Sequence, residues 1–328
     1  MDQNYSNGYM LVKNNVVYFE NKQLQIALLK GKDSLDFINR ISTNEVLSLK
    51  VSESIQTVLT SEKGRIIDVV TLLSLGNNEV LLVSSNNSLE STIRWIKKYV
   101  IMDDVSVKQI NTYTAFELHG PRSTDFANEL FSLENYDFSF QNFSKHHESG
   151  SLVFRIPSIS EISLLLLIPT AQLDSEDNLS MKKIIENSIT FISEFDRELL
   201  RIHAGLGKSP NELNENYNPL EAGLLHIINF KKGCYIGQEV IARLDSYNKV
   251  KQRIFGITST VQINELDSIF VDSKEVGKVT SILKVNENCY DGLCYIRGEF
   301  AQNNLSVTVE NENSKIEATL KQIPFENE

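Results

Sequence analysis

The segment Lys231–Arg243, KKGCYIGQEVIAR, gathers side chains that a structural loop does not need together: two lysines, a thiol, a phenol, and the adjacent amide and carboxylate of Gln238 and Glu239. Gly233 and Gly237 bracket Cys234, Tyr235 and Ile236, so the backbone is expected to take conformations closed to other residues and to bring its amides close to a ligand. A thiol beside Lys231 and Lys232 sits in positive potential, which favours the thiolate and makes Cys234 a candidate nucleophile or redox group. The same residues admit an architectural reading. In it Gly233 caps a turn, Cys234 and Ile236 are small core residues, and Glu239 favours the positive end of a helix.

Charge singles out the same stretch. Between Lys231 and Arg253, six basic residues (Lys231, Lys232, Arg243, Lys249, Lys251, Arg253) stand against Glu239 and Asp245, a local +4 in a chain of formal net charge −11. A positive island in an acidic protein suits a small anionic ligand steered to one place, although lysines guarding a strand edge would also account for Lys249 and Lys251. The acidic whole argues against a nucleic-acid partner, since phosphate contacts need basic residues that outweigh the acids. Cys234, Cys289 and Cys294 cannot all pair, and their scarcity suits a reducing cytoplasm, the expected location. Cys289 and Cys294 lack a two-residue knuckle and a second pair, which favours a place inside the fold, and His146-His147 lacks a third ligand; no metal site is expected. Gly205-Leu206-Gly207 is too short for a dinucleotide fingerprint.

The elements that must position these residues read as α+β. With 328 residues the chain is long enough for at least two domains. Its apolar run Ile162–Ile168 is far short of the ~20 residues of a membrane span, and no basic-then-apolar secretory leader is visible, so no membrane association is expected. Strands are expected at Val16–Phe19 and Leu24–Leu29, then an amphipathic helix carrying Leu35, Phe37, Ile38 and Ile41. A meander follows: Ile55–Leu59, the turn Ser61-Glu62-Lys63-Gly64, Arg65–Leu75 and Val80–Ser84, then a helix over Ser88–Val100 capped near Asn86 or Asn87. The same grammar returns with a strand at Ala115–Leu118, a helix opened by Gly120-Pro121, the hairpin Leu152–Ile156 and Ile162–Ile168, and helices near Ser180–Ile189 and Ser193–Ala204. The succession reads as a divergent duplication. Asn218-Pro219-Leu220-Glu221 has capping-box spacing and predicts a short helix through Ile227. From about Val250 onward, β-branched strands separated by turns predict an all-β sandwich or small barrel.

Lys232-Gly233-Cys234-Tyr235-Ile236-Gly237-Gln238-Glu239, followed by Val240-Ile241-Ala242-Arg243, resembles the signature of the YgfZ-type branch of the folate-binding superfamily that also contains the glycine-cleavage T-protein, an aminomethyltransferase. Thr43-Asn44, Gly64-Arg65-Ile66, Leu118-His119-Gly120-Pro121, Ala204-Gly205-Leu206, Asn214–Leu224 and Val276–Ser281 are similar to other segments of that superfamily in the expected order, so the resemblance covers nearly the whole chain. It implies two entwined ferredoxin-like subdomains around a central folate channel, residues 1–248, and a C-terminal all-β barrel domain, residues 249–328. It also implies a tetrahydrofolate cofactor, with a polyglutamylated form as an option. The site would be formed by Lys232, Gly233, Tyr235, Gln238, Glu239 and Arg243, with Asn218, Glu221, His203 and Asp68 nearby and Cys234 as the reactive group.

Three departures from the aminomethyltransferase pattern shape the expected activity. The acid that those enzymes carry one position after Asp68 is Val69 here, and strand alternation turns Asp68 to the opposite face unless a bulge intervenes. Their glutamate for the pterin edge is replaced by His203, which on its apolar helical stripe also reads as a satisfied core histidine. Their signature lacks the cysteine. The resemblance therefore implies a folate-dependent accessory factor for maturation or repair of iron–sulfur enzymes, with iron–sulfur proteins or their assembly machinery as partners. A folate-dependent aminomethyl or one-carbon transferase is the rival reading, and a ligand-free scaffold is more distant.

Overall fold

The structure, a computed structural model, describes residues 7–325 apart from 86–87, 147–148, 171–175, 248 and 311–313. The helix cap expected at Asn86 or Asn87, and His147 of the histidine pair, lie outside the described residues. After a short helix α1 (Asn7–Leu11) and strand β1 (Val17–Glu20), two units follow with one element order. The first is β2 (Gln25–Lys30), α2 (Ser34–Ile41), β3 (Ser54–Thr60), β4 (Ile66–Gly76), β5 (Glu79–Ser84), α3 (Leu89–Lys97) and β6 (Ser106–Ile110). The second is β7 (Tyr113–His119), α4 (Ser123–Leu130), β8 (Phe143–Lys145), β9 (Leu152–Arg155), β10 (Ser163–Pro169), α5 (Glu176–Ser188) and β11 (Thr190–Phe191).

The first sheet is ordered β3-β4-β5-β2-β6 and the second β8-β9-β10-β7-β1-β11. Matched strand for strand they are the same ferredoxin-like sheet, which supports the expected duplication. The one difference is β1, which precedes the first unit in the chain but inserts into the sheet of the second, between β7 and β11, antiparallel to β7 with Val17 opposite His119 and parallel to β11. That insertion entwines the two units.

Each sheet is buried on both faces. One face of the first takes the apolar stripes of α2 and α3, with Phe37, Ile38, Ile93 and Ile96 against Leu29, Leu72 and Leu82. The opposite faces of the two sheets pack on each other, Leu73, Leu81 and Val83 against Phe154, Leu165 and Leu167. This two-sided burial explains why β10 reads as an unbroken apolar run, SLLLLIP, in place of an alternation. At roughly 1.5–3 kcal/mol per fully buried large side chain, these interfaces dominate the stability of the sheet pair.

The chain then forms α6 (Glu194–Ala204), α7 (Gln238–Ser246) and β12 (Gln252–Ser259), β13 (Ser268–Val271), β14 (Lys274–Asn286), β15 (Cys289–Arg297), β16 (Ser306–Glu310) and β17 (Lys315–Lys321). The last six close into a barrel ordered β12-β15-β14-β13-β16-β17, with β17 returning to β12. The all-β expectation resolves to a barrel, and Cys294 is fully buried in its core. Helix α6 is bounded by a capping box, Ser193 with Asp196, and by Gly205 in the left-handed conformation (φ +73°). It fastens the second sheet to the barrel. Arg197 makes a bidentate pair with Glu117 of β7 (2.6 and 2.8 Å), and Arg201 reaches Ser281 of β14 (2.9 Å) and Glu212 (3.3 Å).

The helix expected over Asn218–Ile227 is a run of turns followed by a single 3-10 turn, Leu225–Ile227. Gly223 at φ +74° ends the helical path after one turn. Among the described residues no helix is long and apolar enough to cross a membrane.

Candidate functional site

The signature segment is fastened to the first unit at three places. The turn between β3 and β4 closes through the Gly64 amide on the Ser61 carbonyl (2.8 Å), and Gly237 sits against it as the N-terminal flank of α7 with φ +83°. A Cβ on Gly237 would lie 2.5 Å from the Ser61 carbonyl oxygen, so glycine is required both for conformation and for close approach. The Thr60 hydroxyl donates to the Ile236 carbonyl (2.6 Å), and the Ile236 amide donates to the Arg40 carbonyl at the end of α2 (3.2 Å). Gly233 differs from expectation. Its φ is not positive, and a Cβ there would meet nothing within 4 Å, so neither strain nor crowding demands glycine at that position.

The third fastening is Lys232, which the sequence placed in the ligand site beside Cys234. The structure gives it another occupation. The side chain is buried, and its ammonium donates to three backbone carbonyls at the C-terminal end of α2 and just beyond: Asn39 (2.6 Å), Ser42 (2.9 Å) and Asn44 (2.6 Å). All three protons are used, and the charge sits where the α2 dipole is negative. Burial pulls the ammonium down to about 8, while Glu45 pulls the other way. Tyr235 lies beneath it, with its ring 5.3 Å from the ammonium, and packs with Ile228, Ile241 and Leu220. Its buried hydroxyl has no hydrogen-bond partner among the described residues, and burial raises it to about 12, so it stays a protonated donor.

The segment therefore has an inner and an outer side. Lys232, Tyr235 and Ile241 face in; Lys231, Gly233, Cys234, Glu239 and Arg243 are exposed, and Gln238 is half-buried in the first turn of α7. Cys234 is not a core residue, which removes the architectural reading of its thiol. The lysine exposed next to it is Lys231 alone.

Asn218 and Glu221 form the expected box. The Asn218 side-chain oxygen accepts from the amides of Leu220 and Glu221 (both 3.0 Å), and a Glu221 carboxylate oxygen accepts from the Asn218 amide (3.0 Å) and from Arg65 (3.3 Å). Burial pushes the Glu221 carboxyl up, against the pull of the Asn218 amide and Arg65. Arg65 follows the Ser61–Gly64 turn, so this box and the signature meet the same hairpin from two sides.

Two residues expected in the site have other work. A bulge does precede Asp68: Leu59 pairs with Asp68 but Thr60 with Ile66, so Ile67 is the extra residue. It does not turn Asp68 to the centre. Asp68 lies under α3, fully buried, and accepts from the hydroxyls of Ser84, Ser85 (3.0 Å) and Thr92 (2.9 Å). The residue that faces the centre is Val69, packed with Val58, Ile66 and Ile202. His203 has both ring nitrogens engaged, Nδ1 with the Tyr9 hydroxyl and Nε2 with Asp291 of β15 (both 2.8 Å). This matches the satisfied-histidine reading and ties α1, α6 and the barrel together. The contacts that sequence reasoning missed, Asn39, Ser42 and Asn44 around Lys232 and Tyr9 and Asp291 around His203, carry no local signal. Three act through backbone carbonyls, and the others are distant in the chain.

A model of the GCVT N-terminal domain matches residues 1–232. The chain is 29% identical over 327 residues to a chloroplastic protein of Arabidopsis thaliana named provisionally as a transferase, covering 95% of this chain and 72% of that protein. It is 22% identical over 322 residues to an aminomethyltransferase of Thermosipho melanesiensis, covering 96% and 87%. The crystal structure of the glycine cleavage system aminomethyltransferase T from Bartonella henselae superposes with a TM-score of 0.79 at 17% identity, over 97% of this chain and 88% of that one, and so shares its fold.

Proposed function

The chain belongs to the GCVT N-terminal domain family, and from that membership we propose that it binds a reduced folate as a YgfZ-type accessory factor for maturation or repair of iron–sulfur enzymes, in a reducing cytoplasm. In this reading residues 1–248 form the folate-binding module and 249–328 the barrel that closes it. The observation that carries the choice over aminomethyl transfer is the pair Asp68 and Val69. The central face of β4 presents a valine where the transferases carry their acid, and the neighbouring carboxylate is consumed by three hydroxyls on the far side of the sheet. Cys234 supports the same choice, because it offers an exposed thiol where the transferase signature has none.

The residues present fit a folate in two respects. Gly205 and Gly256 leave room for flat or branched groups beside His203, room that the side chains of Ile323 and Phe325 take up in this structure. Lys231, Arg243 and Lys251 are exposed for an anionic glutamate tail. Lys232 is better assigned to holding the signature in place, since its three donors are already committed. When bound, the folate would supply one-carbon or redox chemistry. This chain's residues would bind and orient it and present Cys234 to a client.

The test has two parts. Equilibrium titration with tetrahydrofolate should give saturable binding, whereas none would leave a scaffold. An aminomethyl donor should give no turnover, while activity of an iron–sulfur enzyme in cells lacking the protein should return when it is supplied. Steady turnover of the donor would move the reading to a folate-dependent aminomethyl transferase, which the names of several relatives favour.

A further inference from the structure

After β17 the chain leaves the barrel and crosses to α6 in four residues. The Phe325 amide donates to the His203 carbonyl (2.7 Å), and the Phe325 ring stacks on the His203 imidazole, with centroids 4.7 Å apart and planes 11° from parallel. Two glycines make the space. A Cβ on Gly205 would lie 2.6 Å from Cβ of Ile323, and one on Gly256 would lie 2.3 Å from the edge of the Phe325 ring. Ile323 and Phe325 thus fill a cleft where β3, β4, α6 and the barrel converge, yet both are only partly buried, and Gln322 and Pro324 between and beside them are exposed.

Barrel closure does not depend on this crossing, because the pairing of β17 with β12 ends at Lys321 opposite Gly256. The segment can lift without opening a strand. What it would uncover is a flat imidazole held rigid by Tyr9 and Asp291, flanked by two glycines: a slot shaped for a planar ring.

We propose that Ile323–Phe325 is a removable strap over an aromatic-binding slot on α6, and that a planar heteroaromatic ligand enters by displacing Phe325. Use of the slot by a folate, at the position where the resemblance to the aminomethyltransferases places the pterin edge, rests on the function proposed above; the strap does not. A protein whose slot is open only part of the time binds more weakly by the fraction open, so weakening the strap tightens binding.

The experiment uses the full-length protein, Phe325→Ala and a chain ending at Lys321, each checked by thermal melting. Two probes are titrated, tetrahydrofolate and indole, and hydrogen exchange of the Phe325 amide is followed in the unsubstituted protein. The expected result is that both altered proteins bind tetrahydrofolate about fivefold or more tightly than the unsubstituted chain. They should also bind indole where the unsubstituted chain binds it weakly, and tetrahydrofolate should speed exchange at Phe325. Equal tetrahydrofolate affinity in all three, or exchange slowed by the ligand, would overturn the strap while leaving folate binding intact. Indole binding confined to the altered proteins, with no tetrahydrofolate binding by any, would support the strap and remove the folate reading. Failure of both probes in every protein would overturn both.

Discussion

The clasp of the signature on the first unit and the stays along α6 both bury charge, but they satisfy it with opposite partners. Along α6 the partners are counter-ions. Burial pushes the Glu117 carboxyl up, but Arg197 and His119 outweigh it and hold it well below the usual carboxylate range. Glu198 follows the same balance against Arg201 and Lys208 and falls to about 2. In the first unit the partners are neutral dipoles. Asp68 is held by hydroxyls and a backbone amide, and burial carries it up to about 6; Lys232 donates to carbonyls, and burial outweighs the pull of Glu45 and carries it down to about 8. Dipoles orient a buried charge without cancelling its desolvation cost, whereas counter-ions shift the balance back. Groups displaced toward neutrality tend to gather where a protein works; Asp68 lies on the first unit and Lys232 on the signature segment fastened to it.

Removing a counter-ion should have the largest effect. Arg197→Met leaves Glu117 buried without its cation and should cost about 3–5 kcal/mol in urea unfolding. Because the Glu117 carboxyl is depressed in the folded state, its stabilisation is present above its unfolded value of 4.5 and lost as pH falls below it. The variant should therefore lose less on acidification than the parent. A cost below about 1 kcal/mol would erase the contrast between the two regions.

Next in size is the clasp. Lys232→Met should cost about 2–3 kcal/mol, since three carbonyls lose their donor, while Lys231→Met should stay within about 0.5 kcal/mol because that side chain is exposed. Equal effects at the two lysines would show that the carbonyl cage is not what holds the loop.

The dipole-bound acid should show itself in pH dependence. Asp68 is raised from 3.8 to about 6. The folded state therefore binds more protons than the unfolded one between these values, and the associated stability, complete below 3.8, is lost as pH rises through 6. Asp68→Asn should gain on the parent by about 2 kcal/mol between pH 4 and pH 6.5, read from denaturant midpoints. Lys232 is the mirror image: lowered from 10.5 to about 8, its burial penalty is present below 8 and relieved as pH rises toward 10.5. Parallel curves for parent and Asp68→Asn would mean that the hydroxyls neutralise the acid completely.

The smallest stability change belongs to Cys234→Ser, within about 0.5 kcal/mol, because the thiol is exposed. Folate affinity should hold, yet restoration of iron–sulfur enzyme activity in cells should fail. Normal restoration by a stable serine protein would make the thiol dispensable.

Local pattern made much of the fold legible. The stripes of α2 and α3, the turn at Ser61–Gly64, the capping geometry at Asn218–Glu221 and Gly205 at the end of α6 all follow from spacing, and each is where it was expected. Strands β6 and β13 escaped notice because they are short and half-exposed, with little alternation to read. The site was legible in its outline and not in its orientation. Whether Lys232 points at a ligand or at the end of α2 depends on carbonyls far back in the chain, and the face taken by Asp68 depends on how a bulge in β4 resolves. A glycine at 237 betrays itself through its conformation; a lysine that grips backbone looks like any other lysine.

The placement of β1 has a consequence for how the molecule is made. A ribosome releases β1 before anything else in either sheet, but its partner β7 emerges only after the entire first unit, Val17 meeting His119 across that interval. The early strand must wait, with both edges open, while the intervening unit folds, and long-range pairing of this kind is slow. Newly synthesised chain is thus exposed to misassociation at β1 until β7 is delivered. Fusions or deletions at the N-terminus should therefore damage the second sheet, while the first, nearer in sequence, completes without it.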